Sequence, residues 1–140
     1  MRRLAFACVL AASFLSTIAA ADAGVLVQIS KAQQRMTVSV DGHVLYSWAV
    51  STGRRGFGTP SGTFHPQFLA RRWFSRLYYN SPMPYSIFFR GGYAIHGSYE
   101  IARLGGPASH GCVRLAPANA ATLFSIVQKH GTGSTRIVIS

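Results

Sequence analysis

The sequence runs to 140 residues, the length of one domain, and carries 14 Lys and Arg against 3 Asp and Glu, a formal net charge of +11. So few carboxylates exclude glycosidase chemistry that needs two placed acids, and sites for hard metal ions that need several oxygen anions. The positive surplus, 12 of the 14 being Arg, suits an anionic partner such as nucleic acid, anionic lipid or an anionic wall polymer, with plain solubility charge as the alternative.

The chain opens on Arg2 and Arg3, followed by an apolar run from Leu4 to Ala20 interrupted only by Ser and Thr. Ala21-Asp22-Ala23 is a small-residue cleavage site, and Ala19-Ala20-Ala21 is a second. This is the pattern of a secretory signal peptide over 1–23, removed to leave a domain over 24–140 in the periplasm or cell envelope. A membrane anchor is the alternative reading, but a run of about 17 residues is at the short limit for a spanning helix. Cys8 lies within the apolar run and not just beyond it, which argues against lipidation. Export also makes nucleic acid the poorest of the anionic partners. With the leader gone, Cys112 is the one cysteine left, so no disulfide forms within the chain. A lone thiol in an oxidising compartment is a liability unless it serves a purpose; the common fate of free cysteine is burial as a small apolar residue.

Val25 to Ser30 is β-branched and apolar and reads as a strand. Arg35 to Val40 alternates polar and apolar, Asp41-Gly42 is a turn signal, and Val44 to Val50 resumes as a strand, which together predict a hairpin. Thr52 to Gly62 is a Gly-rich loop, and Gly62-Thr63-Phe64 begins another strand. Residues 66–86 are aromatic and basic without a clear period. They read equally as irregular structure with buried rings or as the wall of a binding cleft. Ile87-Phe88-Phe89 and Tyr93-Ala94-Ile95 read as short buried strands around Gly91-Gly92. Pro117 to His130 predicts the one clear helix, with Ala120, Leu123, Phe124 and Val127 on its apolar face, Pro117 in its first turn and Gly131 as its C-cap. Arg136 to Ile139 closes the chain as a strand. The expected class is mainly β with one main α-helix packed on a sheet.

Of five histidines, His96 and His110 stand near other reactive residue types. His96 ends an apolar strand, where a side chain can face a cleft, and Cys112 follows 16 residues later. Imidazole and thiol make a general-base and nucleophile pair. Gly111 lets a substrate approach the backbone, and the N–H groups of Gly111 and Cys112 are candidates for an oxyanion hole. Two alternatives stand beside this. One cysteine and two histidines supply three zinc ligands, although His110-x-Cys112 is tighter than the usual ligand pairs and no acidic residues back them. A purely structural Cys–His neighbourhood is the other, since such pairs are weak motifs on their own.

The run Ser109-His110-Gly111-Cys112-Val113-Arg114, with His96-Gly97 upstream, resembles the signature of the L,D-transpeptidases, the YkuD-type catalytic domain. Thr59-Pro60-Ser61-Gly62-Thr63-Phe64 and Met83-Pro84-Tyr85 resemble further family segments, and the likeness runs from about Val25 to the C-terminus. The resemblance implies a β-sandwich-like domain of mixed sheets with the cysteine in a cleft. Cys112 would attack the L-centred carbonyl at the third position of a peptidoglycan stem peptide, release D-alanine and hold the acyl group as a thioester. His96 would be the proton acceptor and donor. Gly111 and Cys112 would form the oxyanion hole, Ser109 and His110 would support the cysteine loop, and Arg114 would order that loop or meet a substrate carboxylate. Tyr85 and Tyr93 are candidates for substrate binding. No metal or organic cofactor is implied. An amine from a second stem would yield a 3→3 cross-link, a protein lysine would anchor that protein to the wall, and water would make the enzyme an L,D-carboxypeptidase. A noncatalytic wall-binding module on the same fold is the alternative from another class.

Overall fold

The computed structural model describes residues 23–140. The leader read over 1–23, with Cys8, lies outside the described residues except for Ala23. From Val25 the chain alternates. Val25, Val27 and Ile29 point inward and Leu26 and Gln28 do not, so β1 (Val25–Ser30) lays one apolar face on the core. β2 (Arg35–Val40) returns antiparallel, burying Met36 and Val38. Asp41 and Gly42 then take φ of 49° and 82°, the two left-handed positions of a tight hairpin turn, and the Asp41 carboxylate accepts the Gly24 amide at 2.8 Å. β3 (His43–Ala49) follows as predicted, one residue early, but Val44, Leu45 and Tyr46 stay exposed because β3 is the edge of its sheet.

The first sheet has the order β3-β2-β1-β9-β4, with β4 (Gly62–Phe64) antiparallel to β9 (Thr135–Ile139), and β9 parallel to β1. The second has the order β5-β6-β7-β8. In it β5 (Phe68–Ala70), β6 (Ser86–Arg90) and β7 (Tyr93–Gly97) form an antiparallel meander, and β8 (Val113–Leu115) joins β7 in parallel. The sequence reading did not anticipate β5 or β8. Each is three residues long, too short to display a period, and each exists because a longer neighbour offers it a hydrogen-bonding edge.

The helix α1 (Pro117–His130) has the predicted bounds. Pro117 opens it, and Gly131, with φ of 90°, donates its N–H to the Val127 carbonyl and ends it. Its predicted apolar face, Ala120, Leu123, Phe124 and Val127, is buried. The helix packs chiefly on β7 and also reaches β1 and β6, so helix and both sheets share one core. Each Leu or Phe placed there contributes about 1.5–3 kcal/mol of transfer free energy.

The second sheet positions the site because its two faces differ. Ile87, Phe89, Ile95, Val113 and Leu115 point into the shared core. Phe88 and Ala94, which are paired across β6 and β7, point the other way, onto a small cluster with Met83, Trp73 and Cys112. Paired residues on parallel strands face the same side, and His96 pairs with Arg114. Side-chain alternation then puts Ala94, His96, Cys112 and Arg114 on one face, away from the core.

Candidate active site

That face floors a cavity of about 780 Å³ whose lining includes Cys112, His96, Tyr93, Trp73, Tyr78 and His110. The segment from Trp73 to Met83 forms one wall, so the middle of the aromatic and basic stretch is cleft wall, while Leu69 and Tyr85 pack against the main core. The Cys112 sulfur lies 3.7 Å from the Gly92 carbonyl, over the turn between β6 and β7. Burial pushes its pKa up. The Ala94 amide, hydrogen-bonded to the sulfur, and the Arg114 charge oppose that shift in part.

His96 is 6% exposed, and its Nδ1 lies 2.7 Å from the Gly97 carbonyl oxygen. A carbonyl only accepts, so Nδ1 carries the hydrogen and Nε2 keeps a lone pair. Burial lowers the imidazole pKa to about 4, with the Gly97 carbonyl pulling upward and Arg114 adding to the fall. The ring is therefore neutral near pH 7. Gly97 has a packing reason to be glycine. A Cβ there would stand 3.1 Å from both the Pro117 Cα and the Pro84 Cγ.

The cysteine loop is tied from within and from outside. The Ser109 hydroxyl donates to the Cys112 carbonyl at 2.6 Å and accepts the Gly111 amide at 3.1 Å. Thr59 Oγ1 donates to the Gly111 carbonyl at 2.8 Å and accepts the Gly53 amide at 2.9 Å. The Ala108 and Ser109 amides both reach the Thr52 carbonyl. Thr52 is itself clamped by the buried Gln34, whose Oε1 accepts its amide and whose Nε2 donates to its hydroxyl. Gln34, Thr52 and the bonding role of Thr59 were not read from the sequence. A buried glutamine in a polar turn leaves no local signature.

Gly111 is closed on the side where a side chain would stand. Its φ is 123°, and a Cβ would come within 2.7 Å of the Tyr93 ring, so Tyr93 covers it. Its amide donates to the Ser109 hydroxyl. Tyr85 does not line the cleft. Its ring packs edge-on against Phe124 at 5.6 Å, on the helix side, with the Arg71 guanidinium above both rings. Tyr93 does line the cleft.

His110 is held between two rings, stacked on Tyr78 at 4.1 Å and edge-on to Phe57 at 5.0 Å. It thus joins the cysteine loop to the cleft wall. Burial lowers its pKa, and the Arg54 and Arg114 charges lower it further. Arg114 pairs with Glu100 at 3.0 Å, and its backbone exchanges hydrogen bonds with Ser51. Among the described residues no group of three or more His, Cys, Asp or Glu stands together as a metal site.

The profile of the YkuD family, the L,D-transpeptidase catalytic domain, matches residues 24–139. The chain belongs to the L,D-transpeptidase family. An L,D-transpeptidase of Mycobacterium smegmatis superposes with a TM-score of 0.74 at 27% identity, over 84% of this chain and 59% of that one. An L,D-transpeptidase of Xylanimonas cellulosilytica gives 0.72 at 30% identity, over 85% of this chain and 61% of that one. An L,D-transpeptidase solved in complex with imipenem gives 0.75 at 25% identity, over 84% and 59%. The chain thus spans about three fifths of these relatives, 59% and 61% of their length for the first two. No curated protein matches it. Among the described residues, the mixed-sheet architecture with one main α-helix expected of an L,D-transpeptidase domain is the one observed.

Proposed function

We propose that this chain is an exported L,D-transpeptidase that acylates Cys112 with a peptidoglycan stem peptide and passes the acyl group to an amine. The observation that carries the proposal is the shared cleft floor, where a neutral His96 with its Nε2 lone pair left open lines the same cavity as the Cys112 thiol. His96 Nε2 takes the thiol proton as sulfur attacks the carbonyl of the third, L-centred residue. The Gly111 and Cys112 amides are the oxyanion donors of this reading, with the Gly111 amide held in the loop by the Ser109 hydroxyl. His96 returns the proton to the departing D-alanine nitrogen, leaving a thioester. An amine from a second stem then attacks, His96 takes its proton, and the Cys112 thiolate leaves and is reprotonated. The arginine-rich cleft suits a carboxylate-bearing peptide in the cell envelope.

The test is incubation of residues 24–140 with disaccharide-tetrapeptide, with products read by mass spectrometry. Cross-linked dimers are the expected result, tripeptides alone would make the enzyme a carboxypeptidase, and unchanged substrate with intact thiol would refute acyl transfer. Cys112→Ala and His96→Ala each abolish turnover. His43→Ala, on the exposed hairpin, and His130→Ala, at the end of α1, do not. By analogy with the imipenem-bound relative, a carbapenem adds covalently to Cys112.

A further inference from the structure

The cleft carries a charge imbalance that acyl transfer does not use. Arg54, Arg76, Arg103 and Arg114 line it, against a single acid, Glu100. Glu100 is already engaged, its Oε2 3.0 Å from Arg114 Nη1. The other side-chain carboxylate among the described residues, Asp41, sits on the β2–β3 hairpin and holds the Gly24 amide. Arg54, Arg76 and Arg103 are exposed and line the cavity with no protein carboxylate to neutralise them.

These three guanidinium groups come from separate stretches of chain. Arg54 lies in the β3–β4 connection, 4.7 Å over the Phe57 ring, which is itself edge-on to His110. Arg76 belongs to the wall segment that Tyr78 stacks onto His110. Arg103 ends a short turn of 3-10 helix, Ile101–Arg103, beside Glu100. Like charges gathered around one hollow repel each other unless an anion is received there. A planar guanidinium meets a carboxylate with two parallel charge-assisted bonds, whereas a carboxamide offers one neutral acceptor oxygen.

Resting on the acyl-transfer reading, we propose that Arg54, Arg76 and Arg103 are specificity residues that select peptide substrates bearing free carboxylates over the same peptides bearing carboxamides.

The test is titration calorimetry on residues 24–140 carrying Cys112→Ala. One ligand is a disaccharide-tetrapeptide with free carboxylates, and the other is the same compound with carboxamides in their place. The acid form binds about tenfold tighter at low salt, and the gap closes as salt is raised, as expected for exposed charges. R54Q, R76Q and R103Q combined abolish the preference by weakening the acid form far more than the carboxamide form. Lys at the same three positions restores part of it, because charge is kept and the fork is lost. Equal affinity for the two stems overturns the proposal, as does a preference that survives the triple substitution, or loss of both stems together. Binding is read without turnover, so the two claims fail separately. A preference in a protein whose intact form processes neither stem would refute acyl transfer alone. Turnover without a preference would refute the arginine selection alone.

Discussion

The Nδ1 of His96 lies 2.7 Å from the carbonyl oxygen of its neighbour Gly97, and this contact decides which ring nitrogen is left for chemistry. The proton is fixed on the backbone side. The Nε2 lone pair is available to take a proton, and burial keeps the ring neutral by lowering its pKa to about 4. In the proposed mechanism a neutral base and a thiol whose own pKa is raised line one cleft, so the resting pair would be uncharged and proton transfer would accompany attack.

The rate should follow that pKa. The acid limb of kcat/KM, which reports the free enzyme, has its midpoint near pH 4, and activity is level through pH 6.5, where an ordinary histidine would titrate. A pH profile of tetrapeptide turnover checks it. A limb centred near 6.5 would show that His96 is not held as described.

Stability carries the same signature with a definite sign. The folded pKa of His96, about 4, is depressed from 6.5, so the unfolded chain binds the proton first as pH falls. The contribution is complete above pH 6.5, is lost between 6.5 and 4, and amounts to about 3 kcal/mol at most by the free energy of one pKa unit. Denaturant melts of the parent and of His96→Asn across that window should converge as pH falls. Parallel curves would contradict the burial argument.

Gly97→Ala should disturb His96 without touching it. The new methyl meets the Pro117 Cα and the Pro84 Cγ at 3.1 Å, so the Gly97 backbone must give by a few tenths of an ångström wherever these neighbours do not. Overpacking of this kind costs about 1–3 kcal/mol. Because the carbonyl orienting His96 moves with it, kcat should fall while the melting temperature records the strain. Unchanged kcat would show that the orientation of the ring does not depend on this packing.

Ser109→Ala removes the acceptor for the Gly111 amide and the donor to the Cys112 carbonyl in one change. Ser109 is 1% exposed, so the orphaned groups are shielded from water. A loss of about 1–3 kcal/mol follows. The rate of Cys112 alkylation should change as well, because the loop that aims the thiol is loosened. A melt lowered without any change in alkylation would limit Ser109 to a structural role.

Legibility in the sequence followed the range of the forces involved. The Asp41-Gly42 hairpin and α1 are set by neighbours in sequence, through turn geometry and the spacing of Ala120, Leu123, Phe124 and Val127, and both were readable. The pairing of His96 with the cysteine loop was readable only because residue types and spacing together matched a family pattern. β8 was not readable, since three residues become a strand only where β7 lies alongside. The Gln34–Thr52–Ser109 relay was hidden because it joins residues far apart in the chain by buried hydrogen bonds. A packing reason for Gly111 was hidden, because the ring that demands its missing side chain, Tyr93, approaches from another strand. Tyr85 looked like a cleft residue from its motif, but its backbone, at a φ of 56°, places the ring on the helix side.

The most direct test of the account is acid quenching of residues 24–140 during turnover of disaccharide-tetrapeptide, followed by proteolysis and mass mapping. The account predicts a tripeptide-stem acyl group, lacking the terminal D-alanine, on the peptide containing Cys112, and none in the His96→Ala protein. An acyl group on any other residue, or turnover by a protein in which Cys112 has been replaced by Ala, would contradict it.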